Sequence, residues 1–243
     1  MRLVSLLTEN YLERARPFLR SLEKLSGVDR WIIGLGFHSP PQGQTSRVRY
    51  ACMPRHRSES SPGIMQHGRW LDALPDVQDD EVCLLSDADI VVQRDFTPEE
   101  RQFFEFLGEN EYAAGWNGGE HDNLLEEAKR IGLAPEAVDL MQSDIAWSKI
   151  PCWNTGVLAM RGRSWKRLRD LYESRCERFY RLTLHRSRGQ WFICFCLHRL
   201  GMQAKILPGQ THLHGHLGMP SGGEIREGVA YYRNKVVLFR HAL

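Results

Sequence analysis

The chain has 243 residues and a mass of 28.1 kDa, enough for one large domain with a substantial core. Its 42% apolar and 26% charged residues exclude a disordered chain, and a formal charge of +2, from 32 basic and 30 acidic residues, argues against nucleic acid as a partner. Mean hydropathy is −0.43, and no apolar run approaches the roughly 20 residues of a membrane span, which leaves only peripheral attachment to a membrane open.

In chain order, residues 3–7 are apolar and end in the polar turn Thr8-Glu9-Asn10, which predicts a first strand. That stretch is too short for a signal-peptide core, so the expected compartment is the cytoplasm. The six cysteines include no C-x-x-C pair and are read as free thiols. Leu12, Ala15, Phe18, Leu19, Leu22 and Leu25 recur at helical spacing, and Gly27 follows as a stop. Strands are predicted at 31–37 and 48–53, loops at 38–46 and 54–63, and a helix at 64–74.

Residues 82–85 form a continuous apolar run, as suits a strand covered on both faces. A helix follows at 99–107 and a strand at 112–116. Helical segments at 124–131 and 136–142 form an insert over about 120–145. A strand at 156–160 precedes a helix that Ser164 is expected to cap. Another helix spans 190–200, with strands at 204–207 and 235–239. Alternating strands and helices predict a three-layer α/β sandwich with a mainly parallel sheet, in a single domain over 1–243.

The most informative stretch is Ser86-Asp87-Ala88-Asp89, at the end of the apolar run 82–85. In open α/β sheets ligands bind at the carboxyl ends of strands. Two acids at i and i+2 project to one side of an extended chain. Their mutual repulsion is relieved by a cation between them or by a proton on one of them. Hard divalent metals, Mg²⁺ or Mn²⁺, want such oxygen ligands and share them with phosphate oxygens.

Other candidates are weaker. Alternation in His212-Leu213-His214-Gly215-His216 would align three imidazoles. The pairs Trp116-Asn117 and Trp153-Asn154 offer a ring and an amide suited to sugars. Asp144 precedes Ile145-Ala146-Trp147 in the loop between the insert and the strand at 156–160, either a hydroxyl-binding or catalytic group or a turn residue.

Taken in order, these motifs resemble those of GT-A fold glycosyltransferases, the glycogenin-like and bacterial galactosyltransferase-like group. Thr8-Glu9-Asn10-Tyr11 stands where those enzymes have a Thr-x-Asn-x-x-Tyr-like turn, and Asp87-Ala88-Asp89 where they have D-x-D. Asn154-Thr155-Gly156 matches their Asn-Ser/Thr-Gly turn, and Gly189-Gln190 resembles their Asp-Gln helix start. Phe239-Arg240-His241 resembles their last strand, which carries a metal-binding His.

The resemblance implies a Rossmann-like GT-A sandwich that transfers sugar from a nucleotide-diphosphate sugar, a UDP-sugar, to a glycan or other acceptor. It implies Mn²⁺ or Mg²⁺ held by Asp87, Asp89 and His241, with His214 as the alternative imidazole. It places Thr8, Asn10, Tyr11, Arg69, Asp87, Ala88, Asp89, Asn154, Thr155 and Gly156 around the donor, with the Tyr11 ring against the base. The chain departs from the pattern where Gly189 replaces the acid, which leaves Gln190 or Asp144 to act on the sugar. It also ends at Leu243, without the family's Lys-Pro-Trp segment. The rival readings are a nucleotidyltransferase of related architecture, a D-x-D phosphatase, and a non-catalytic carbohydrate- or metal-binding module.

Overall fold

The computed structural model describes residues 1–35, 49–53, 77–115, 123–130, 132, 147–182, 189–209, 211–213 and 222–241. The expected loops at 38–46 and 54–63 and the helices at 64–74 and 136–142 lie outside those residues. So do Arg69, Asp144, His214, His216 and the Trp116-Asn117 pair.

The first half of the chain lays down β1 (Arg2–Thr8), α1 (Leu12–Ser21), β2 (Asp29–Leu35), β3 (Arg49–Met53), β4 (Val82–Ser86), β5 (Ile90–Val92) and α2 (Pro98–Glu105). Then come β6 (Glu111–Gly115), α3 (Leu124–Arg130), β7 (Asn154–Arg161), α4 (Gly162–Leu182), α5 (Gly189–Arg199) and β8 (Gln203–Ile206). The C-terminal part consists of β9 (His212–Leu213), β10 (Gly223–Arg226), β11 (Val229–Tyr232), β12 (Lys235–Val236) and β13 (Phe239–His241).

Seven strands form the main sheet in the order β3-β2-β1-β4-β7-β6-β8. All neighbours are parallel except β7, which runs antiparallel to β4 and to β6. The fold is thus an α/β sandwich around a mostly parallel sheet, as the alternation of elements predicts. Period-two alternation divides the core between the two faces of the sheet. On β4, Cys83 and Leu85 join a cluster with Trp165, Leu168 and Trp191, while Val82 and Leu84 join Phe18, Phe104 and Phe239. α5 is buried from Trp191 through Leu197, which explains its apolar composition all round. The indole of Trp191 donates to the carbonyl of Leu124 at 2.7 Å and tethers α3. Cys83, Cys152, Cys194 and Cys196 are buried, consistent with small hydrophobes rather than ligands.

Three details depart from expectation. Ser164 does not cap α4; it sits within the helix, and its hydroxyl donates to the Glu109 carbonyl. The strand expected at 235–239 is broken into β12 and β13, and β13 runs on to His241, two residues past the expected end. Finally, β10–β12 form a separate antiparallel sheet. Its two-residue turns place Glu227, Gly228, Arg233 and Asn234 at positive φ.

A polar network pins this C-terminal region to the chain beyond β5. The Gln93 amide nitrogen donates to the carbonyls of Ala230 and Val237, and its oxygen accepts from Ala230 N–H. Arg94 forms a two-pronged pair with the buried Glu100 at 2.6 and 2.7 Å and also donates to the Val236 carbonyl. Glu100 closes a capping box with Thr97 and accepts from the Thr211 hydroxyl at 3.1 Å. Arg94→Leu strands a buried carboxylate, and the expected cost is about 3 kcal/mol by urea unfolding. Thr97→Ala removes only a cap and should cost about 1 kcal/mol. If both variants cost the same, the buried charge pair is not what holds this region.

Candidate functional site

Ser86 is the last residue of the buried strand β4, and the chain turns at once. Asp87 N–H donates to the Gly156 carbonyl at 2.8 Å, and Ile90 N–H returns to the Asp87 carbonyl at 3.3 Å. These two bonds close a four-residue turn that carries both acids, with Ala88 buried between them. The turn delivers the chain into β5, which pairs antiparallel with β13 so that Ile90 stands opposite His241. The turn of D-x-D therefore joins the main sheet to a second, three-stranded sheet, β5-β13-β9.

His241 is buried, with Nδ1 3.9 Å from Asp89 Oδ1. Its imidazole lies directly over Gly156. A Cβ at that position would fall 2.5 Å from His241 Nε2, 2.7 Å from Cε1 and 3.0 Å from Asn154 Oδ1. The glycine of Asn154-Thr155-Gly156 is thus required by the approach of the ring. Asn154, also buried, accepts the Gly156 N–H at 2.9 Å, and Thr155 N–H donates to Gln190 Oε1 at 3.3 Å from the first turn of α5. A register shift between Ala114 and Gly115 makes this possible: Ala114 pairs with Leu158 but Gly115 with Asn154. The intervening residues of β7 are released from the β6 ladder, as at a β-bulge.

Tyr11 reaches the same place from the other side of β4. It ends the 3-10 turn Glu9–Tyr11 after β1, and its hydroxyl donates to Asp89 Oδ2 at 3.1 Å. Burial, and then the charge and hydrogen bond of Asp89, raise the Tyr11 pKa and keep the phenol protonated. The Arg14 guanidinium lies 5.4 Å from the Tyr11 ring centroid, one helical turn on, a contact the sequence reading missed although the i, i+3 spacing allows it. Thr8 is half-buried at the end of β1, and Asn10 is exposed.

The structure thus gathers Tyr11, Asp87, Asp89, Asn154, Thr155, Gly156, Gln190 and His241 at one end of the sheet. Asp87 keeps contact with solvent, but dense protein around it and then the charge of Asp89 push its pKa up to about 7. Among the described residues, no three of His, Cys, Asp and Glu already stand as a closed metal centre. What the site does offer is Asp89 Oδ1, buried and with no hydrogen-bond partner among the described residues, beside a second carboxylate and an imidazole. Two hard oxygen donors and a nitrogen suit Mg²⁺ or Mn²⁺.

Two consequences can be measured. The folded state holds the Asp87 proton more tightly than an unfolded chain with the ordinary value of 3.8, so stability falls as pH rises between about 4 and about 7. Asp87→Asn should therefore stabilise the metal-free protein at pH 8. Allowing for solvent screening, about 1 kcal/mol is expected, or about 2–4 °C in melting temperature, and the gain should vanish near pH 4. No gain at pH 8 would show that the folded state does not hold the Asp87 proton more tightly than the unfolded chain. Gly156→Ala should cost about 1–3 kcal/mol in urea unfolding, because neither the buried ring nor Asn154 can yield without disturbing the strand. A neutral outcome would mean that the imidazole does not occupy this position.

No protein-family model matches the chain, and no curated protein sequence matches it. Solved structures do. The galactosyltransferase LgtC, in complex with donor and acceptor sugar analogues, superposes with a TM-score of 0.61 at 16% identity, over 100% of this chain and 87% of that one. An active-site Gln-to-Glu variant of LgtC gives 0.62 at the same identity and coverage. The chain has the GT-A fold of this galactosyltransferase.

Proposed function

We propose that the protein is a metal-dependent glycosyltransferase that moves a sugar from a nucleotide-diphosphate sugar, a UDP-sugar, to a glycan or other acceptor. One observation carries the reading: on a fold shared with a galactosyltransferase, two carboxylates at the end of a central strand meet an imidazole brought by the last strand. Asp87, Asp89 and His241 would hold Mn²⁺ or Mg²⁺. When bound, such a cation supplies Lewis-acid stabilisation of the negative charge on a diphosphate leaving group.

The rest of the work falls to the chain itself. The turn at Asn154, Thr155 and Gly156 is locked by its own hydrogen bonds and can present backbone to the donor without rearranging. Thr8, Asn10, Tyr11 and Ala88 line the nucleotide, with the Tyr11 ring toward the base, and Arg69 supplies positive charge to the phosphates. Gln190 and Asp144 serve the transferred sugar. The Gln190 side chain already reaches the turn at Thr155, and the glutamine altered in the LgtC variant makes this amide the first to test. His214 remains the alternative imidazole. A phosphatase would carry its nucleophilic Asp at the first strand of its fold; here the pair follows the fourth strand among the described residues. No described helix is long and apolar enough to cross a membrane, which leaves both a free and a surface-bound enzyme compatible with the reading.

The test is incubation with Mn²⁺ and a panel of nucleotide-sugars, followed by detection of free nucleoside diphosphate. Slow donor hydrolysis is expected, lost at least a hundredfold in Asp89→Ala and abolished by chelator. Release of inorganic phosphate from simple monoesters, with no nucleoside diphosphate formed, would replace the transferase reading with a phosphatase.

A further inference from the structure

The two oxygens of Asp89 have different surroundings. Oδ2 accepts the Tyr11 hydroxyl at 3.1 Å, while Oδ1 is buried, has no hydrogen-bond partner among the described residues, and lies 3.9 Å from His241 Nδ1. A carboxylate beside another carboxylate is pushed to swing away, and the short turn itself offers little to stop it. Among the described residues the Tyr11 hydroxyl is the one hydrogen-bond donor to either oxygen, and it comes from a residue 78 positions distant. Its anchorage is firm. Tyr11 leads directly into α1, and the other end of α1 is bound to β5 through the Ser21 hydroxyl, which accepts Val92 N–H at 2.9 Å. The Tyr11 ring is covered by Arg14. The hydroxyl therefore reaches Asp89 from an element fastened at both ends to the structure on which Asp89 sits.

Resting on the cation site proposed above, we infer that Tyr11 is a positioning residue: its hydroxyl fixes Asp89 through Oδ2 and leaves Oδ1 as the oxygen turned toward the cation. The ring and the hydroxyl of one side chain then do separate jobs, the first for the nucleotide and the second for the metal ligand. Partners that orient a ligating carboxylate typically matter by an order of magnitude or more in metal affinity.

The experiment titrates the whole, metal-free protein with Mn²⁺ and reads free Mn²⁺ by its paramagnetic resonance signal. Tyr11→Phe keeps the ring and removes the hydroxyl, and should weaken Mn²⁺ binding about tenfold. The far-ultraviolet circular dichroism of Tyr11→Phe should match that of wild type, which a general loss of structure would not allow. Arg14→Gln tests the packing of the ring and should leave Mn²⁺ affinity within twofold. Equal Mn²⁺ affinity in wild type and Tyr11→Phe overturns the positioning role while leaving the cation site standing. So does an equal loss in Tyr11→Phe and Arg14→Gln, which would assign the effect to packing. A wild-type protein that binds no Mn²⁺ overturns the cation site, and the positioning role with it.

Discussion

Two like charges are held together where one sheet hands the chain to another. The turn bearing Asp87 and Asp89 is fixed at one end by the Gly156 carbonyl and at the other by the pairing of Ile90 with His241. It cannot open to separate the acids without breaking a ladder on either side. The repulsion is therefore built in, and together with the dense protein around Asp87, the larger cause, it raises the pKa of that acid. Such an arrangement lowers the stability of the folded chain and persists at sites where the strain has a use. The hydrogen bonds around it fall into a pattern that serves this end. Tyr11 takes one oxygen of Asp89, the backbone of β7 takes the Asp87 amide, and the buried Oδ1 is left over.

The C-terminal region is needed for the same reason. His241 sits on a three-residue strand, too short to hold itself in place. Its position depends on Gln93 and Arg94, which follow β5 and bind carbonyls of β11, β12 and the segment between β12 and β13. Gln93 N–H further donates to the Leu238 carbonyl, and Phe239 N–H to that of Thr211. Glu100 ties Arg94 and Thr211 together inside the protein. A network of partly buried, mutually satisfied polar groups centred on the buried Glu100 thus fixes the strand that faces the acids, while the apolar pair Phe96 and Phe239 packs beneath it.

Much of this was legible in the sequence where a local signal coincided with a global one. The apolar run before Asp87 could only be a buried strand, and so its end could be placed at the rim of a sheet. Helices such as α1 and α5 announced themselves by spacing or by apolar content. The short strands were harder. Arg226-Glu227-Gly228-Val229 and Tyr232-Arg233-Asn234-Lys235 are tight hairpin turns with positive φ, but they lack the Asn-Gly or Asp-Gly pair that usually marks one. The break between β12 and β13 has no sequence mark at all, because Val237 and Leu238 are as apolar as strand residues; what separates them is burial between two different sheets. Ser164 looked like a cap because its chemistry suits one, yet the helix begins two residues earlier and the hydroxyl binds a carbonyl 55 residues away.

The reversal of β7 is the least readable feature and the one that assembles the site. Residues at the carboxyl ends of parallel strands meet at one rim by topology, which places Thr8 and Asp87 together without special arrangement. Asn154, Thr155 and Gly156 come at the beginning of a strand, and would lie at the opposite rim if β7 ran with its neighbours. Because it runs against them, its start stands beside the finish of β4, with Ser86 opposite Val157. The register shift against β6 then frees the amides of this segment for Asn154 and Gln190, and the missing side chain of Gly156 leaves room for the imidazole. Each of these conditions is local and weak in sequence. Their joint effect depends on the direction of one strand, a property that no residue in it declares.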